Sequence, residues 1–286
     1  MDPSVAEFLL SPYTLALLGL CIGSFLNVVI HRLPLMLESG WRRESAELLG
    51  VPSGEPGDAE ALTLSSPRSR CPSCKHAITW QENLPVLSYV ALRGRCSACG
   101  TRISPRYPFI EIVTGVLFGL IGWRYGAQPV ALLWCGFAAA LVALAGIDWD
   151  TTLLPDGITL PLLWAGLVAS ALGWTIGLPD ALWGAVAGYL SLWSVYWVFK
   201  LATGKEGMGF GDFKLLAALG AWLGLKMLLP IVLAASLIGA VIGIAMKLSA
   251  ALREGRYVPF GPFLAGAGLA VMLAGEPRVL HWLGWA

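Results

Sequence analysis

The stretch PVALLWCGFAAALVALAGI, residues 129–147, contains no charged side chain and is followed directly by Asp148. A helix needs about 20 apolar residues to cross the hydrocarbon core of a bilayer, so this run predicts a membrane-spanning helix. The chain contains seven further apolar runs, at 13–30, 109–123, 157–177, 181–199, 213–225, 227–246 and 260–275. The sequence therefore predicts an all-α polytopic membrane protein with about eight transmembrane helices.

Composition supports a membrane class. Of the 286 residues, 57% are hydrophobic and only 13% are charged, whereas a soluble domain carries about 25% charged residues. The formal net charge of +1 gives no electrostatic reason to bind nucleic acid. Membrane lipid is the expected surrounding, and no nucleic-acid partner is expected.

The polar insertion at 31–108 divides the chain into three predicted domains. Residues 1–30 form the first transmembrane helix, 31–108 a loop domain, and 109–286 the transmembrane core. The insertion is rich in Lys and Arg, which predicts a cytoplasmic location. Alternation of the spans then leaves only Arg124, Lys226 and Arg278 outside, out of 19 basic residues. Both termini are expected outside, and the first helix is expected to be retained because no Lys or Arg precedes it.

Four cysteines of the insertion form two matched pairs, Cys71-Pro-Ser-Cys74 and Cys96-Ser-Ala-Cys99. Each CxxC pair can direct two thiolates at one point, and two such pairs complete a tetrahedron. Disulfides are disfavoured in the cytoplasm. The pattern predicts a closed, structural zinc site at Cys71, Cys74, Cys96 and Cys99, with unpaired buried thiols as the alternative.

Aspartates follow the third apolar run in the stretch AGIDWDTTLLPDG, residues 145–157. Asp148 comes directly after the run and is the deepest of the three. Asp150 fits a solvated loop position, and Asp156 fits a helix N-cap. A functional carboxyl group at the membrane surface is therefore best assigned to Asp148.

A second acidic position lies in GMGFGDFK, residues 207–214. Gly207, Gly209 and Gly211 permit positive φ angles and a close approach of another chain. Asp212 opens the next apolar run, where a plain N-cap is the alternative interpretation. Under the predicted topology Asp148 and Asp212 lie on the same cytoplasmic side and can face each other.

Two close carboxyl groups cannot both ionise easily, so one retains its proton near neutral pH. The ionised group can then deprotonate a water molecule while the protonated group polarises a scissile carbonyl. Asp212 opens a helix and Asp148 ends one, so the helix dipole favours Asp148 as the protonated partner.

The chain resembles the bacterial type IV prepilin peptidases, which are intramembrane aspartyl proteases with a GxGD motif. The likeness is carried by Gly209-Phe-Gly-Asp212, by Ile147-Asp148 with Leu154-Pro-Asp156, by the paired cysteines, and by GSFLNVVIHRLP at 23–34. It covers about residues 12–265.

The resemblance implies an enzyme of the bacterial inner membrane with its active site facing the cytoplasm. Such an enzyme removes the basic leader of type IV prepilins and type II secretion pseudopilins. It then methylates the new N-terminus with S-adenosylmethionine. Asp148 and Asp212 match the catalytic aspartates, Gly209 and Gly211 the substrate loop, and Gly94 and Arg95 are methyltransferase candidates. Lysine is expected where Arg95 stands, and the two side chains are not interchangeable.

Two other functions fit part of the pattern. A GxGD protease with a different substrate would not require the four-cysteine loop. A membrane transporter or scaffold with a zinc-bound cytoplasmic regulatory loop would use the aspartates as a proton or cation relay. A transport path should bring charge to the middle of the membrane, whereas these aspartates lie at one end of their helices.

Overall fold

A computed structural model describes residues 3–51, 62–249 and 258–285. Within these ranges the regular structure is helical, and only two isolated β-bridges occur, Arg70–Ala77 and Arg95–Arg102. The helices are α1 (Pro3–Leu9), α2 (Pro12–Leu49), α3 (Leu87–Ala91), α4 (Arg106–Tyr125), α5 (Val130–Thr151), α6 (Asp156–Ala171), α7 (Leu178–Thr203), α8 (Phe210–Leu223), α9 (Leu225–Leu248), α10 (Gly261–Ala274) and α11 (Glu276–Trp282). The predicted all-α class is confirmed for this part of the chain.

Four helices are long and apolar enough to cross a membrane, namely α2, α5, α7 and α9. A fifth span is possible if α10 and α11, which are bent by 104° at their junction, act as one unit. The chain is therefore an integral membrane protein. Each of the eight apolar runs does form a helix, but α6, α8 and α10 have 16, 14 and 14 residues and are shorter than a full span.

The chain divides into two compact units, Met1–Ala139 and Ala140–Ala286. In the first unit α2 packs along α4. A Cβ built on Gly19 would lie 2.7 Å from the Thr114 carbonyl oxygen, and one built on Gly23 would lie 2.7 Å from Glu111 Cα. Asn27 Nδ2 donates to the Gly23 carbonyl at 3.2 Å and to the Tyr107 carbonyl at 3.1 Å. Gly23 and Asn27, both in the stretch 23–34, thus serve helix packing.

Helix α2 is a single helix of 38 residues with Pro34 inside it. The sequence instead suggests a span ending near Ile30 and a separate short helix over 39–49. At 1.5 Å per residue α2 is about 57 Å long, which exceeds the thickness of the hydrocarbon core by roughly 27 Å. The described part of the Pro/Gly/Ser-rich loop that follows is held to it by Arg32, whose Nη1 donates to the Thr63 carbonyl at 2.9 Å.

Helix α8 is the centre of the second unit. It is buried from Asp212 to Leu223 except at Lys214. Trp222 Nε1 donates to the Leu162 carbonyl of α6 at 2.8 Å. Because neighbouring helices cover α8, little of it can contact lipid. It can therefore be shorter than the thickness of the bilayer. The predicted break between the sixth and seventh runs occurs at Gly224, with φ of 86°, rather than at Lys226 or Pro230, which lie inside α9.

Candidate active site

Asp148 lies in the last turn of α5, and the residue is only 4% exposed. Its carboxylate oxygen Oδ2 accepts a hydrogen bond from the main-chain N–H of Gly261 at 2.9 Å. Gly261 is the first residue of α10. A buried carboxyl group requires a hydrogen-bond partner, and here a second helix provides one.

Asp212 lies in the first turn of α8 and is 8% exposed. Its Oδ1 atom is buried and has no hydrogen-bond partner within residues 3–51, 62–249 and 258–285. Most buried polar atoms in proteins are paired, and an unpaired one is a frequent mark of a functional position. Asp212 therefore has an oxygen available for a water molecule or a substrate group.

The two carboxyl groups lie close enough to interact electrostatically. Leu154, in the short connection between α5 and α6, lies against Gly211, which precedes Asp212, and against Gly261, which binds Asp148. A Cβ built on Gly211 would be 2.7 Å from Leu154 Cβ, and one built on Gly261 would be 3.2 Å from Leu154 Cδ1. The end of α5 and the starts of α8 and α10 thus meet around the two aspartates.

The glycines of GMGFGDFK do not have positive φ angles, so this part of the sequence-based expectation is wrong. Gly207 and Gly211 are required by close contacts instead, with Phe199 and Leu154 respectively. Gly209 differs from both. A Cβ built on it would meet only Asp212 Oδ2 and Gly211 N, each at 4.0 Å. Among the residues that the structure describes, the space beside Gly209 and the Asp212 carboxylate is therefore open.

The loop that carries Gly209 is anchored to the end of α7. Glu206 Oε1 accepts from Lys200 Nζ at 2.7 Å, and the Lys200 ammonium lowers the pKa of Glu206. The Phe210 ring packs on Tyr196 with a centroid distance of 5.3 Å. These contacts fix the start of α8 and hence the position of Asp212.

The other two aspartates of the stretch 145–157 lie apart from this pair. Asp150 is exposed. Asp156 is the first residue of α6 and Pro155 is the N-cap, so the prediction that Asp156 is the N-cap is wrong. Its Oδ1 and Oδ2 accept from Lys214 Nζ at 2.6 and 2.8 Å. Asp156 is therefore an ion-pair partner that joins α6 to α8.

The four cysteines of the insertion do come together. Their Sγ atoms all lie within 4.8 Å of one another, with 3.8 Å between Cys71 and Cys99 and 4.0 Å between Cys74 and Cys96. Four sulfurs bound to one zinc ion at about 2.3 Å are separated by about 3.8 Å. The donor set and its spacing therefore fit a structural zinc ion.

Each CxxC pair closes a knuckle with the same two main-chain hydrogen bonds. The first cysteine donates to a carbonyl five residues later, and the residue after the second cysteine donates back to the first. These bonds are 2.9 Å long and join Cys71 to His76, Lys75 to Cys71, Cys96 to Thr101 and Gly100 to Cys96. Main-chain N–H groups of Cys74 and Ser73 lower the pKa of Cys71. The Thr101 hydroxyl and N–H lower the pKa of Cys99 to about 6, which favours the thiolate that a metal needs.

Glu82 connects the two knuckles. It accepts a short hydrogen bond from Ser97 of the second knuckle, and His76 of the first lies 3.4 Å away. Thr79 donates to the same carboxylate from its N–H and its hydroxyl, both at 2.8 Å. These hydrogen bonds, that from Ser97 above all, lower the pKa of Glu82 to about 2. Glu82 thus remains an anion that orders both halves of the cysteine cluster.

The methyltransferase candidates occupy the turn before the second knuckle. Gly94 is buried and has φ of 66°. A Cβ built on it would lie 2.9 Å from Tyr89 Cζ and Oη, so its open side is filled by protein. Arg95 is exposed and forms a β-bridge with Arg102. Of the two, Arg95 is the one that can contact another molecule.

Sequence reasoning missed Gly261 as a site residue. Residues 260–275 suggest only an apolar run, and nothing in that run indicates a partner more than a hundred positions earlier. The available signal was Pro262, since proline at the start of a helix marks a terminus with free N–H groups. Which side chain those groups meet is decided by packing alone.

The fold and the buried carboxyl pair define a polytopic helical membrane protein with an aspartate dyad at its helix ends. The sequence matches two family models, "Bacterial Peptidase A24 N-terminal domain" over residues 17–125 and "Type IV leader peptidase family" over residues 135–244. The chain belongs to the type IV leader peptidase family and is an enzyme, which confirms the resemblance seen in its motifs.

Curated relatives named prepilin leader peptidase/N-methyltransferase are similar over most of the chain. The protein of Pseudomonas putida is 53% identical over 259 residues, covering 91% of this chain and 89% of its own length. That of Stutzerimonas stutzeri is 50% identical over 269 residues, covering 94% and 92%. That of Pseudomonas aeruginosa is 49% identical over 275 residues, covering 94% and 92%. No solved structure matches the chain significantly. These relatives favour the peptidase interpretation over a transporter.

Proposed function

We propose that this enzyme removes the basic leader from type IV prepilins and type II secretion pseudopilins, and that it then methylates the new N-terminus with S-adenosylmethionine. The observation that carries the proposal is the pair of buried aspartates, Asp148 and Asp212, at the helix ends of a chain whose relatives bear that double name. The bacterial inner membrane is the proposed location, with the site at its cytoplasmic face.

The dyad supports peptide hydrolysis without a covalent intermediate. The ionised carboxylate takes a proton from water, whose oxygen attacks the scissile carbonyl, and the second carboxyl group donates its proton to the carbonyl oxygen. Collapse of the tetrahedral intermediate breaks the C–N bond. The leaving amine takes up the proton gained by the first carboxylate, and a hydroxyl proton of the intermediate returns to the second carboxyl group as the new carbonyl forms. Both reacting groups are then restored.

The hydrogen bonds support an assignment opposite to that favoured by the helix dipole. A main-chain N–H donor stabilises a charged carboxylate, and Asp148 accepts one from Gly261. Asp212 Oδ1 has no partner. We therefore assign Asp148 as the base and Asp212 as the proton donor, with the open space beside Gly209 admitting the substrate main chain.

The substrate class also suits the fold. A prepilin presents a basic leader before an apolar helix, and that helix can lie in the bilayer beside the spans of the enzyme, in contact with lipid. Its leader junction would then be at the level of the membrane surface. Eight spans, with the four-cysteine domain at 31–108 in the cytoplasm and the protease core at 109–286, give this arrangement.

Leader release from a purified prepilin by the enzyme in lipid vesicles tests the proteolytic step. Asp148→Asn and Asp212→Asn keep the side-chain shape and should each lower the cleavage rate at least about 1,000-fold, because a dyad acts as a unit. Asp150→Asn, at an exposed aspartate two residues from the first, should retain most activity. Cleavage by both dyad variants at the wild-type rate would refute the protease site.

Radiolabelled S-adenosylmethionine in the same reaction tests methylation. The new α-amine would attack the methyl group, the S–CH₃ bond would break, and the ammonium proton would pass to water. Arg95→Ala should abolish label transfer and leave cleavage intact, while Arg102→Ala, across the β-bridge, should spare both. Full methylation by Arg95→Ala would remove this residue from the proposed methyltransferase site. Gly94 is expected to act by shaping the turn that presents Arg95.

A further inference from the structure

Helix α10 begins at the carboxyl group of Asp148. The first N–H groups of a helix have no partner within it. Phe263 and Leu264 donate to the Phe260 carbonyl at 3.1 and 3.2 Å and start the helical pattern. The N–H of Gly261 instead donates to Asp148 Oδ2 at 2.9 Å, and both residues are buried.

No side chain larger than hydrogen fits at position 261. A Cβ built there would lie 2.5 Å from Asp148 Oδ2 and 3.1 Å from its Cγ. The third neighbour is Leu154 Cδ1 at 3.2 Å, so the carboxylate cannot simply move aside on that flank. Real Cβ atoms do not approach other heavy atoms this closely, and protein interiors at such density give way only at a cost.

The need for glycine at position 261 is not shared by every glycine of α10. Gly266 is exposed, and a Cβ built on it would meet nothing within 4 Å in the part of the chain that the structure describes. Gly261 has an ordinary helical position and no positive φ angle. The requirement at 261 is therefore specific to the Asp148 carboxylate and does not follow from backbone conformation.

We propose that Gly261 is a positioning residue for peptide hydrolysis by this enzyme. Its N–H holds the Asp148 carboxylate in the orientation that faces Asp212, and its missing side chain leaves room for that carboxylate to lie against the start of α10. The inference rests on the proposed leader-peptidase function. It adds a third helix to a site that the motifs place on α5 and α8 alone.

Steady-state cleavage of a prepilin by the full-length enzyme in lipid vesicles tests the proposal. Gly261→Ala should lower kcat about 10- to 100-fold, because a hydrogen bond to a charged group is misplaced. KM should change less than about twofold, since residue 261 contacts the catalytic group and not the open space beside Gly209. Gly266→Ala is the matched control on the same helix and should keep both constants.

A second variant removes the N–H donor without adding a methyl group, so it distinguishes the two effects of Gly261→Ala. It remains informative if Gly261→Ala does not fold. Glycolic acid incorporated at position 261 replaces the N–H by an ester oxygen and adds no side chain. It should lower kcat about 10- to 100-fold with KM and the thermal midpoint close to wild type. An ester variant with wild-type kcat would overturn the proposal, as would a fall confined to KM. If wild-type enzyme did not cleave at all, the proposed function itself would fail, which is a distinguishable result.

Discussion

Glycines around the sites serve two different physical needs at the residue scale. Gly211 and Gly261 have ordinary backbone angles and are required because Leu154 and Asp148 occupy the space of a Cβ. Gly94 and Gly100, around the second cysteine knuckle, have φ of 66° and 72°. Lys75, at the position equivalent to Gly100 in the first knuckle, has φ of 61°. A side chain is therefore tolerated at that knuckle position, although it carries some strain.

Gly94 combines both needs, so it should be the less replaceable of the two knuckle glycines. Gly94→Ala places a Cβ on a residue with a left-handed backbone conformation and creates a clash with Tyr89. The substitution should destabilise the cysteine domain by about 2–4 kcal/mol. Gly100→Ala, with nothing within 4 Å of its Cβ, should cost only about 1 kcal/mol. The rate of zinc transfer from the full-length protein to a chelator measures the difference. Equal release rates for the two variants would contradict this account of Gly94.

At the scale of the elements, the position of Asp212 depends on how closely α7 and α8 approach. A Cβ on Gly184 of α7 would fall on the Gly220 carbonyl of α8, and a Cβ on Gly220 would fall on the Gly184 carbonyl. A Cβ on Gly188 would meet the Leu216 carbonyl oxygen at 2.6 Å. Small residues of this kind allow membrane helices to pack at main-chain contact. The helix that carries Asp212 is therefore held by main-chain contact at two positions about one turn apart.

Gly184→Ala should force α7 and α8 apart and lower both stability and activity. Overpacking of this kind costs about 1–3 kcal/mol, and the displacement of α8 should move Asp212 away from Asp148. Thermal unfolding and leader cleavage by the same preparation test the prediction. Gly136→Ala, in α5 where nothing lies within 4 Å of the added Cβ, is the control. A midpoint equal to that of the control would show that the helices can separate without cost.

At the scale of the whole molecule, the number of membrane spans depends on which of the shorter helices also cross the bilayer. Four or five helices are long and apolar enough to cross a membrane among the described residues, whereas eight spans follow if the shorter α6, α8 and α10 also cross and α4 is included. Buried helices such as α8 are shielded from lipid by their neighbours. The eight-span topology therefore remains a prediction.

Fusions of a periplasm-dependent reporter such as alkaline phosphatase decide the topology. With eight spans and both termini outside, a fusion after Gly126 or Gly173 should be active, because few basic residues flank these turns. A fusion after Gly204 should be inactive, since Lys200 and Lys205 retain that loop in the cytoplasm. An active fusion at Gly204 would invert the second half of the predicted topology and place Asp212 on the outer side.

The sequence by itself determined the membrane class, the helical runs, the cluster of four cysteines and the two aspartates. Each of these follows from composition or from short spacing along the chain, where apolar length and CxxC geometry act locally. The motifs and their order along the chain also indicated the family.

Only the tertiary structure decided how Asp148 is held, why the glycines beside Asp212 are needed, and that Asp156 is paired with Lys214. Most of these properties depend on contacts between residues far apart in the sequence, such as Asp156–Lys214 and Asp148–Gly261. The role of a glycine or of an N–H group depends on which side chain lies next to it in the packed structure. Local patterns carry no information about that neighbour, because it is selected by the close packing of helices.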